Sequence, residues 1–281
     1  MEVGEALALG REALRSQSES ATADARLLLA ETLRRSPTWV LTHVDEGLSP
    51  LETDEYLSRV KRCASGEPLP YVLGWWEFFG RRFDVATGVL IPRPETELLV
   101  EIALEETSRR SNPLRVIDVG TGSGCLAITL LAESDLGIVF ATDVSWSALG
   151  VARANAERMG VLARLCLAQA DLLTAHAGPW DVICANLPYI PSMRLGDLKV
   201  ARREPATALD GGPDGMTLTT SLVRSLGTRL APGGLAILEI DEGQGARLAA
   251  MADETLPGAQ CEIRKDLAGL ERVLVVRHEA G

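Results

Sequence analysis

The sequence predicts an α/β fold: a mostly parallel sheet wrapped by helices, ended by an antiparallel hairpin and preceded by a small helical bundle. Three observations carry this. From about Arg115 onward, short apolar runs alternate with helix-length amphipathic ones, the pattern of strands joined through crossover helices. The last two strand-like runs, Gln260–Lys265 and Glu271–Arg277, are separated only by Asp-Leu-Ala-Gly-Leu. That connection is too short for a helix, so the two runs should pair antiparallel. Up to about Gly66 the chain reads as helices without strands.

In chain order, Ala23, Ala25, Leu27, Leu28, Leu29, Ala30 and Leu33 form an apolar stripe within one helical window. Ser49-Pro50-Leu51-Glu52 is a helix start: a serine to accept free N–H groups, a proline at the first helical position and a glutamate reaching back. That helix should stop near Gly66, before Pro68. This bundle reads equally as a packing domain or as a docking platform. Residues 67–91 then change character, with aromatics, β-branched residues and glycines at turn-like intervals. They predict a β-hairpin with Gly80 in or near its turn. Its Trp75, Trp76, Phe78 and Phe79 suit either a core or a binding surface. Strands are expected at Arg115–Val119, Ile138–Asp143, Ala163–Ala170, Trp180–Ala185 and Leu235–Ile240. Helices are expected at Ser145–Met159, ended by Gly160, and at Thr217–Leu230.

Composition narrows the classes. The chain has 281 residues, 46% of them hydrophobic, enough for a sizeable core. No apolar run is long enough to span a bilayer. Glu2 and Glu5 precede any cation, unlike a signal peptide, and a cytoplasmic location is expected. Five scattered cysteines form no C-x-x-C pair, and His43, His176 and His278 have no metal-ligand spacing. Neither a disulfide framework nor a metal site is expected. The net charge of −11 argues against nucleic acid as the direct partner, because phosphate-backbone binding needs clustered cations.

Chemistry concentrates in two stretches. The first is VIDVGTGSGCLAITLL, Val116 to Leu131: a strand, a glycine loop and a helix start. Gly120, Gly122 and Gly124 permit a sharp turn and close approach of a ligand. Asp143 ends the next strand-like run, where a carboxylate can accept hydrogen bonds from both ribose hydroxyls. The pair suits an adenosine ligand. The G-x-G-x-G spacing, with Asp118 two residues ahead, differs from the G-x-G-x-x-G of dinucleotide enzymes. It resembles motif I of S-adenosylmethionine-dependent methyltransferases. Asp171-Leu172 follows the next strand, positioned either to read an adenine edge or, through Asp171, to cap a helix.

The second stretch is Asn186-Leu187-Pro188-Tyr189, leaving the fourth strand where such sheets bind ligands. It resembles the (D/N/S)-P-P-(Y/F) motif of amino-methyltransferases, which act on nitrogens conjugated to a planar π-system. An amide nitrogen is a poor nucleophile, because its lone pair is delocalised. The Asn186 side-chain oxygen and the Leu187 carbonyl offer two acceptors for its N–H groups. Pro188 has no N–H and stiffens the turn, and Tyr189 offers a ring for stacking. Catalysis of this kind rests on positioning and preorganised polar groups. A turn-capping asparagine and a core tyrosine are the plainer reading of the same residues. An NAD-linked oxidoreductase would account for the glycine loop and Asp143, though not for N-x-P-Y. A partner-binding protein without turnover could keep the whole fold.

Further segments sharpen the resemblance. LPYVLGWWEFFGRRFDV, GVLIPRPETELLVE (Gly88 to Glu101), EPATALDGGPDG (Glu204 to Gly215) and RKDLAGLERV (Arg264 to Val273) closely resemble bacterial release-factor glutamine N5-methyltransferases, the PrmC/HemK family. The resemblance implies a seven-stranded, mostly parallel, Rossmann-like methyltransferase sheet. It also implies methylation of the glutamine side-chain amide in the Gly-Gly-Gln loop of class I peptide chain release factors, with S-adenosyl-L-methionine as cofactor. It implies a helical substrate-docking domain over residues 1–70, a linking β-hairpin over 71–91 and the methyltransferase domain over 92–281. By position, Gly120, Thr121, Gly122, Ser123, Gly124, Asp143, Leu172 and Asn186 would hold the cofactor. Asn186, Leu187, Pro188 and Tyr189 would hold the substrate amide, with Asn186, Pro188 and Tyr189 as catalytic residues. Ile91 to Glu97 would line the pocket. A monomer is expected. Two departures stand out: Leu187 replaces the family's usual proline, and Leu172 stands where an aromatic is common. Asn-Leu-Pro-Tyr is also the form found in rRNA adenine dimethyltransferases, so adenine-N6 methylation of rRNA or DNA is the alternative.

Overall fold

The computed structural model describes residues 1–110, 113–175, 178–198 and 203–279. His176 lies outside the described residues. The chain divides into two compact units, Met1–Trp75 and Trp76–Gly281. The first holds helices α1 (Val3–Leu14), α2 (Ala21–Leu33), α3 (Pro37–Thr42), α4 (Pro50–Ala64) and α5 (Leu69–Leu73). Val3, Leu14, Leu28, Leu29, Val40 and Tyr56 are fully buried among them. A Cβ on Gly10 would lie 1.9 Å from the Tyr56 hydroxyl, so glycine is what lets α1 pass over that ring. Helix α4 starts as expected: Ser49 Oγ accepts from Glu52 N–H, and the Glu52 carboxylate accepts from Ser49 N–H at 2.8 Å. In the α2 stripe, Ala25, Leu28, Leu29 and Ala30 are buried, whereas Ala23 faces solvent.

Strands β1 (Trp75–Phe78) and β2 (Arg81–Asp84) form the hairpin. Its turn places Phe79 at φ +51° and Gly80 at φ +66°, the paired left-handed residues that match strand twist. The unit boundary falls within this hairpin, at its first residue, and the hairpin is part of the second unit's core. Phe78 and Phe83 meet edge to face at 5.9 Å and are buried against the sheet's helices. Trp75 and Trp76 are half-buried. Buried Asn155 anchors β2: its Oδ1 accepts from Asp84 N–H at 2.7 Å, and its Nδ2 donates to the Asp84 and Ser123 carbonyls.

The second unit continues with α6 (Glu97–Ser108), β3 (Val116–Val119), α7 (Cys125–Glu133), β4 (Val139–Asp143), α8 (Trp146–Arg158), β5 (Leu165–Gln169) and β6 (Trp180–Ala185). Then come α9 (Ser192–Leu195), α10 (Thr217–Arg229), β7 (Leu230–Glu239), α11 (Gly245–Thr255), β8 (Gln260–Lys265) and β9 (Glu271–Arg277). The seven strands β3 to β9 lie in the order β5-β4-β3-β6-β7-β9-β8. All neighbours are parallel except at β9, which runs antiparallel to both β7 and β8. The seven-stranded, mostly parallel sheet with an antiparallel C-terminal pair is therefore the fold of this chain.

Successive residues enter opposite cores. Val116, Val182 and Leu235 join α6 and α7 on one face, while Ile117, Ile183 and Ala236 join α10 and α11 on the other. Strand β7 begins earlier than its apolar run suggests. Leu230 pairs with Trp180 and Leu235 with Val182, so the intervening Ala-Pro-Gly-Gly bulges out between paired ends. Strand β5 is shorter than expected, because Leu162–Arg164 forms a 3-10 turn. No described helix is long and apolar enough to cross a membrane.

Replacing Asn155 by alanine strips partners from both backbone groups of Asp84. It should cost about 3 kcal/mol in urea unfolding. A loss below about 1 kcal/mol would show that the hairpin anchor is not where stability lies.

Candidate active site

Strands β3, β4 and β6 end side by side, and β3 sits where the chain order reverses, the usual ligand site of open α/β sheets. A cavity of about 370 Å³ opens there. Gly120 and Thr121 donate their N–H groups to the Thr142 carbonyl at 2.8 Å each, which folds the glycine loop back over β4. Gly120 is required twice: its φ is +77°, and a Cβ would lie 3.1 Å from Leu187 Cδ2. Gly122 (φ +56°) donates to Asp143 Oδ2 at 2.9 Å, and Ser145 N–H donates to Asp143 Oδ1 at 2.8 Å. Each carboxylate oxygen keeps a lone pair for a further donor.

Among the residues expected to hold a cofactor, Gly120, Gly122, Asp143, Leu172 and Asn186 line this cavity. Gly120, Thr121, Gly122, Ser123 and Asn186 line a smaller one of about 40 Å³, beside Asp118. Gly124 lines neither. It caps α7, and a Cβ there would meet Ile128 at 2.7 Å and Ala152 at 3.0 Å, so it serves close packing of the helix. Leu172 is left-handed (φ +48°) and is held by Thr142 Oγ1, which donates to its carbonyl. Residues 171–175 form a turn, so Asp171 caps no helix; it lines the large cavity. Asp118 is buried and accepts from Thr121 Oγ1 at 2.7 Å. Burial, the larger effect, outweighs that hydrogen bond and raises its pKa to about 7.

Asn186 and Tyr189, with Leu90, Arg93, Ile190, Ala208 and Leu209, line a third cavity of about 190 Å³. Leu90 and Asn186 are common to all three cavities, so the asparagine stands at their junction. Leu187 and Pro188 border the large cavity. The Leu187 side chain is buried and packs in the core beneath the glycine loop. Its carbonyl accepts no hydrogen bond from the described residues. The loop after Tyr189 is clamped by the 204–215 segment. Ile190 N–H donates to Leu209 O, Gly211 N–H to Ile190 O and Ser192 N–H to Gly212 O. Gln244 Nε2 donates to the Tyr189 carbonyl at 3.2 Å. A Cβ on Gly211 would lie 2.7 Å from the Pro188 carbonyl oxygen, so this glycine permits the contact.

Sequence reasoning gave no role to three residues here, although Thr96 lies within the Ile91–Glu97 segment expected to line the pocket. Thr96 is buried between Asn186 and Glu239: Asn186 Nδ2 donates to Thr96 Oγ1 at 2.8 Å, and Thr96 Oγ1 donates to Glu239 Oε2 at 2.7 Å. Glu239 is 1% exposed. Burial outweighs its hydrogen bonds and raises its pKa to about 7. Glu204 is buried too, accepting from Ile91 N–H and Arg93, which fixes the Ile91–Glu97 segment against the cavities. Only Glu239 had a readable signal, as the one acid in the apolar run Leu235–Ile240.

The fold and site define an S-adenosylmethionine-dependent methyltransferase architecture. A methyltransferase structure from Pyrococcus furiosus matches 80% of this chain and 97% of that chain with a TM-score of 0.51 at 18% identity. A family profile described as the PrmC N-terminal domain matches residues 5–74, and one described as ribosomal protein L11 methyltransferase (PrmA) matches residues 94–200. A release factor glutamine methyltransferase of Bradyrhizobium diazoefficiens is 36% identical over 266 residues, 93% of this chain and 90% of that protein. Another, from Nitratidesulfovibrio vulgaris, is 39% identical over 275 residues, 94% of this chain and 92% of that protein. The chain belongs to the release factor glutamine methyltransferase family.

Asp118 and Glu239 both bind a proton more tightly folded than unfolded. As pH rises from their ordinary values, 3.8 and 4.5, to about 7, the unfolded chain releases protons that the native state still holds. Their contribution to stability therefore falls over that window and levels off above it. Glu239→Gln should flatten part of this slope in unfolding curves taken at pH 5, 6 and 7.5. An unchanged slope would mean that Glu239 is ionised across the range.

Proposed function

We propose that this chain methylates the side-chain amide nitrogen, N5, of the glutamine in the Gly-Gly-Gln motif of peptide chain release factors, with S-adenosyl-L-methionine as donor. The observation that carries the chemistry is the place of Asn186, at the junction of the glycine-loop cavities and the Tyr189 cavity. Membership of the family supports the substrate.

The residues present fit the cofactor. Gly120 and Gly122 leave a wall without side chains, and Asp143 retains acceptor capacity for ribose hydroxyls. Ala148, Leu172, Leu187 and Leu218 give an apolar slot for adenine. The Ser123 hydroxyl, buried beside the smaller cavity near the Cys125 thiol, and Asp118 suit the polar amino-acid end. The cofactor supplies a methyl group on a good sulfonium leaving group.

This chain's own residues do the positioning. Asn186 Oδ1 and the Leu187 carbonyl accept from the glutamine NH₂ and turn its nitrogen toward the methyl carbon. Tyr189 bounds the amide plane. Burial and the nearby Glu239 carboxylate raise the Tyr189 pKa, keeping it a neutral phenol. With the cofactor bound, transfer of its methyl group to this nitrogen would release the sulfur as a neutral thioether and one N–H proton to water. The helical unit, residues 1–75, serves as the docking platform, and the enzyme works as a cytoplasmic monomer.

The test is transfer of labelled methyl to a purified release factor, beside the same factor with its Gly-Gly-Gln glutamine changed to alanine, and beside unmethylated rRNA and DNA. Label confined to the intact factor is expected. Label on nucleic acid would replace this reading with adenine methylation. Asn186→Ala should cut turnover by about 100-fold or more while cofactor binding changes little. Equal loss of both would refute the division of roles.

A further inference from the structure

We propose that Thr96 and Glu239 form a directional hydrogen-bond relay that fixes which end of the Asn186 amide faces the substrate, making both of them positioning residues for the methyl transfer. The proposal rests on the function proposed above.

An asparagine amide is nearly symmetric in shape, and its two ends do opposite things. The oxygen accepts from the NH₂ of a substrate amide; the NH₂ end would set donor against donor. Something must therefore choose the rotamer. Within the described residues, Nδ2 donates to Thr96 Oγ1 at 2.8 Å, and no described residue donates to Oδ1.

A hydroxyl carries one proton. That of Thr96 goes to Glu239 Oε2 at 2.7 Å, and an ionised carboxylate only accepts. With its proton so committed, Thr96 can offer Asn186 only a lone pair. Asn186 must then present Nδ2 to Thr96, which leaves Oδ1 for the cavity. Flipping the amide would set Oδ1 against the oxygen of buried Thr96, acceptor on acceptor, where the low local dielectric makes the mismatch costly. The polarity of the relay thus originates at a carboxylate that touches neither cofactor nor substrate cavity.

The arrangement has a cost that a purely structural role would avoid. Glu239 is 1% exposed, and its Oε1 has no partner at ordinary hydrogen-bond distance, although the Tyr189 hydroxyl interacts with the carboxylate. The titratable and charged groups that face it are Glu95 beside Thr96, Tyr189 on the motif loop, Cys125 at the start of α7 and Arg272 on β9. Its pKa is about 7, with burial the largest cause. Below that pH the carboxyl can donate, Thr96 is released from its fixed direction, and the amide loses its preference. Turnover at saturating cofactor should fall as pH drops through about 7.

Three variants and two readouts test this. Thr96→Val should lower kcat about tenfold at saturating cofactor, the equivalent of one well-placed hydrogen bond. Thr96→Ser, which keeps the hydroxyl, should restore kcat. Glu239→Gln should lose the acid limb of the kcat profile. Independently of any substrate, the Asn186 side-chain NH₂ signal in ¹⁵N NMR, identified by its absence in Asn186→Ala, should titrate near pH 7 and lose its hydrogen-bonded shift in Thr96→Val. An unshifted signal in Thr96→Val, or an acid limb that persists in Glu239→Gln, overturns the relay. Wild-type protein that labels no release factor overturns the function reading alone, because the NMR signal reports the relay without turnover.

Discussion

The parallel register of β3 between β4 and β6 is the constraint on which the site rests. Val119 lies opposite Thr142 on one side and Ala185 on the other. Three chain segments therefore leave the sheet at one level. The glycine loop can reach the Thr142 carbonyl, Asp143 can reach Gly122, and Leu187 can press against Gly120. A slip of one residue in either ladder would exchange core and ligand faces and separate these partners. The helices on both faces hold that register by burying alternate strand residues.

Two buried acids give the site its electrostatic character. Asp118, on β3, and Glu239, at the end of β7 on the far side of β6, are almost wholly removed from water, and each accepts a hydrogen bond from a threonine hydroxyl. Both titrate near neutrality as a result. Arg93 pairs instead with Glu204, at the wall of the third cavity. Carboxylates kept in apolar surroundings without a direct cation are costly, and such groups gather where they orient or receive something.

The leucine in Asn-Leu-Pro-Tyr illustrates how one constraint can stand in for another. A proline at the second position would stiffen the backbone by its ring. Leu187 holds the same carbonyl by burial, its side chain wedged beneath the glycine loop. The 204–215 segment adds a second restraint, because its glycines let it hydrogen-bond closely along residues 190–192. Pocket geometry at this turn thus depends on a core contact and on a segment distant in sequence.

Local patterns determined much of this protein. Periodicity alone marked the strands and their antiparallel end, Ser49-Pro50-Leu51-Glu52 marked a helix start, and the glycine spacing with Asp143 marked the ligand loop, because each depends on neighbours within a few turns of chain. The same local view overextended β5 and shortened β7, whose Ala-Pro-Gly-Gly bulge exists only because both its ends pair with β6. Nor did it show that Gly124 is crowded by Ile128 and Ala152, a packing demand for glycine separate from the ligand loop. Thr96, Glu204 and Glu239 were beyond its reach as partners. They meet Asn186, Ile91 and Arg93 across separations of roughly ninety residues or more, and only the packed sheet brings those groups within hydrogen-bond distance. The sequence by itself determined which chemistry the chain carries; the tertiary structure decided which way its asparagine points, because the direction of a hydrogen-bond chain is set by its buried far end.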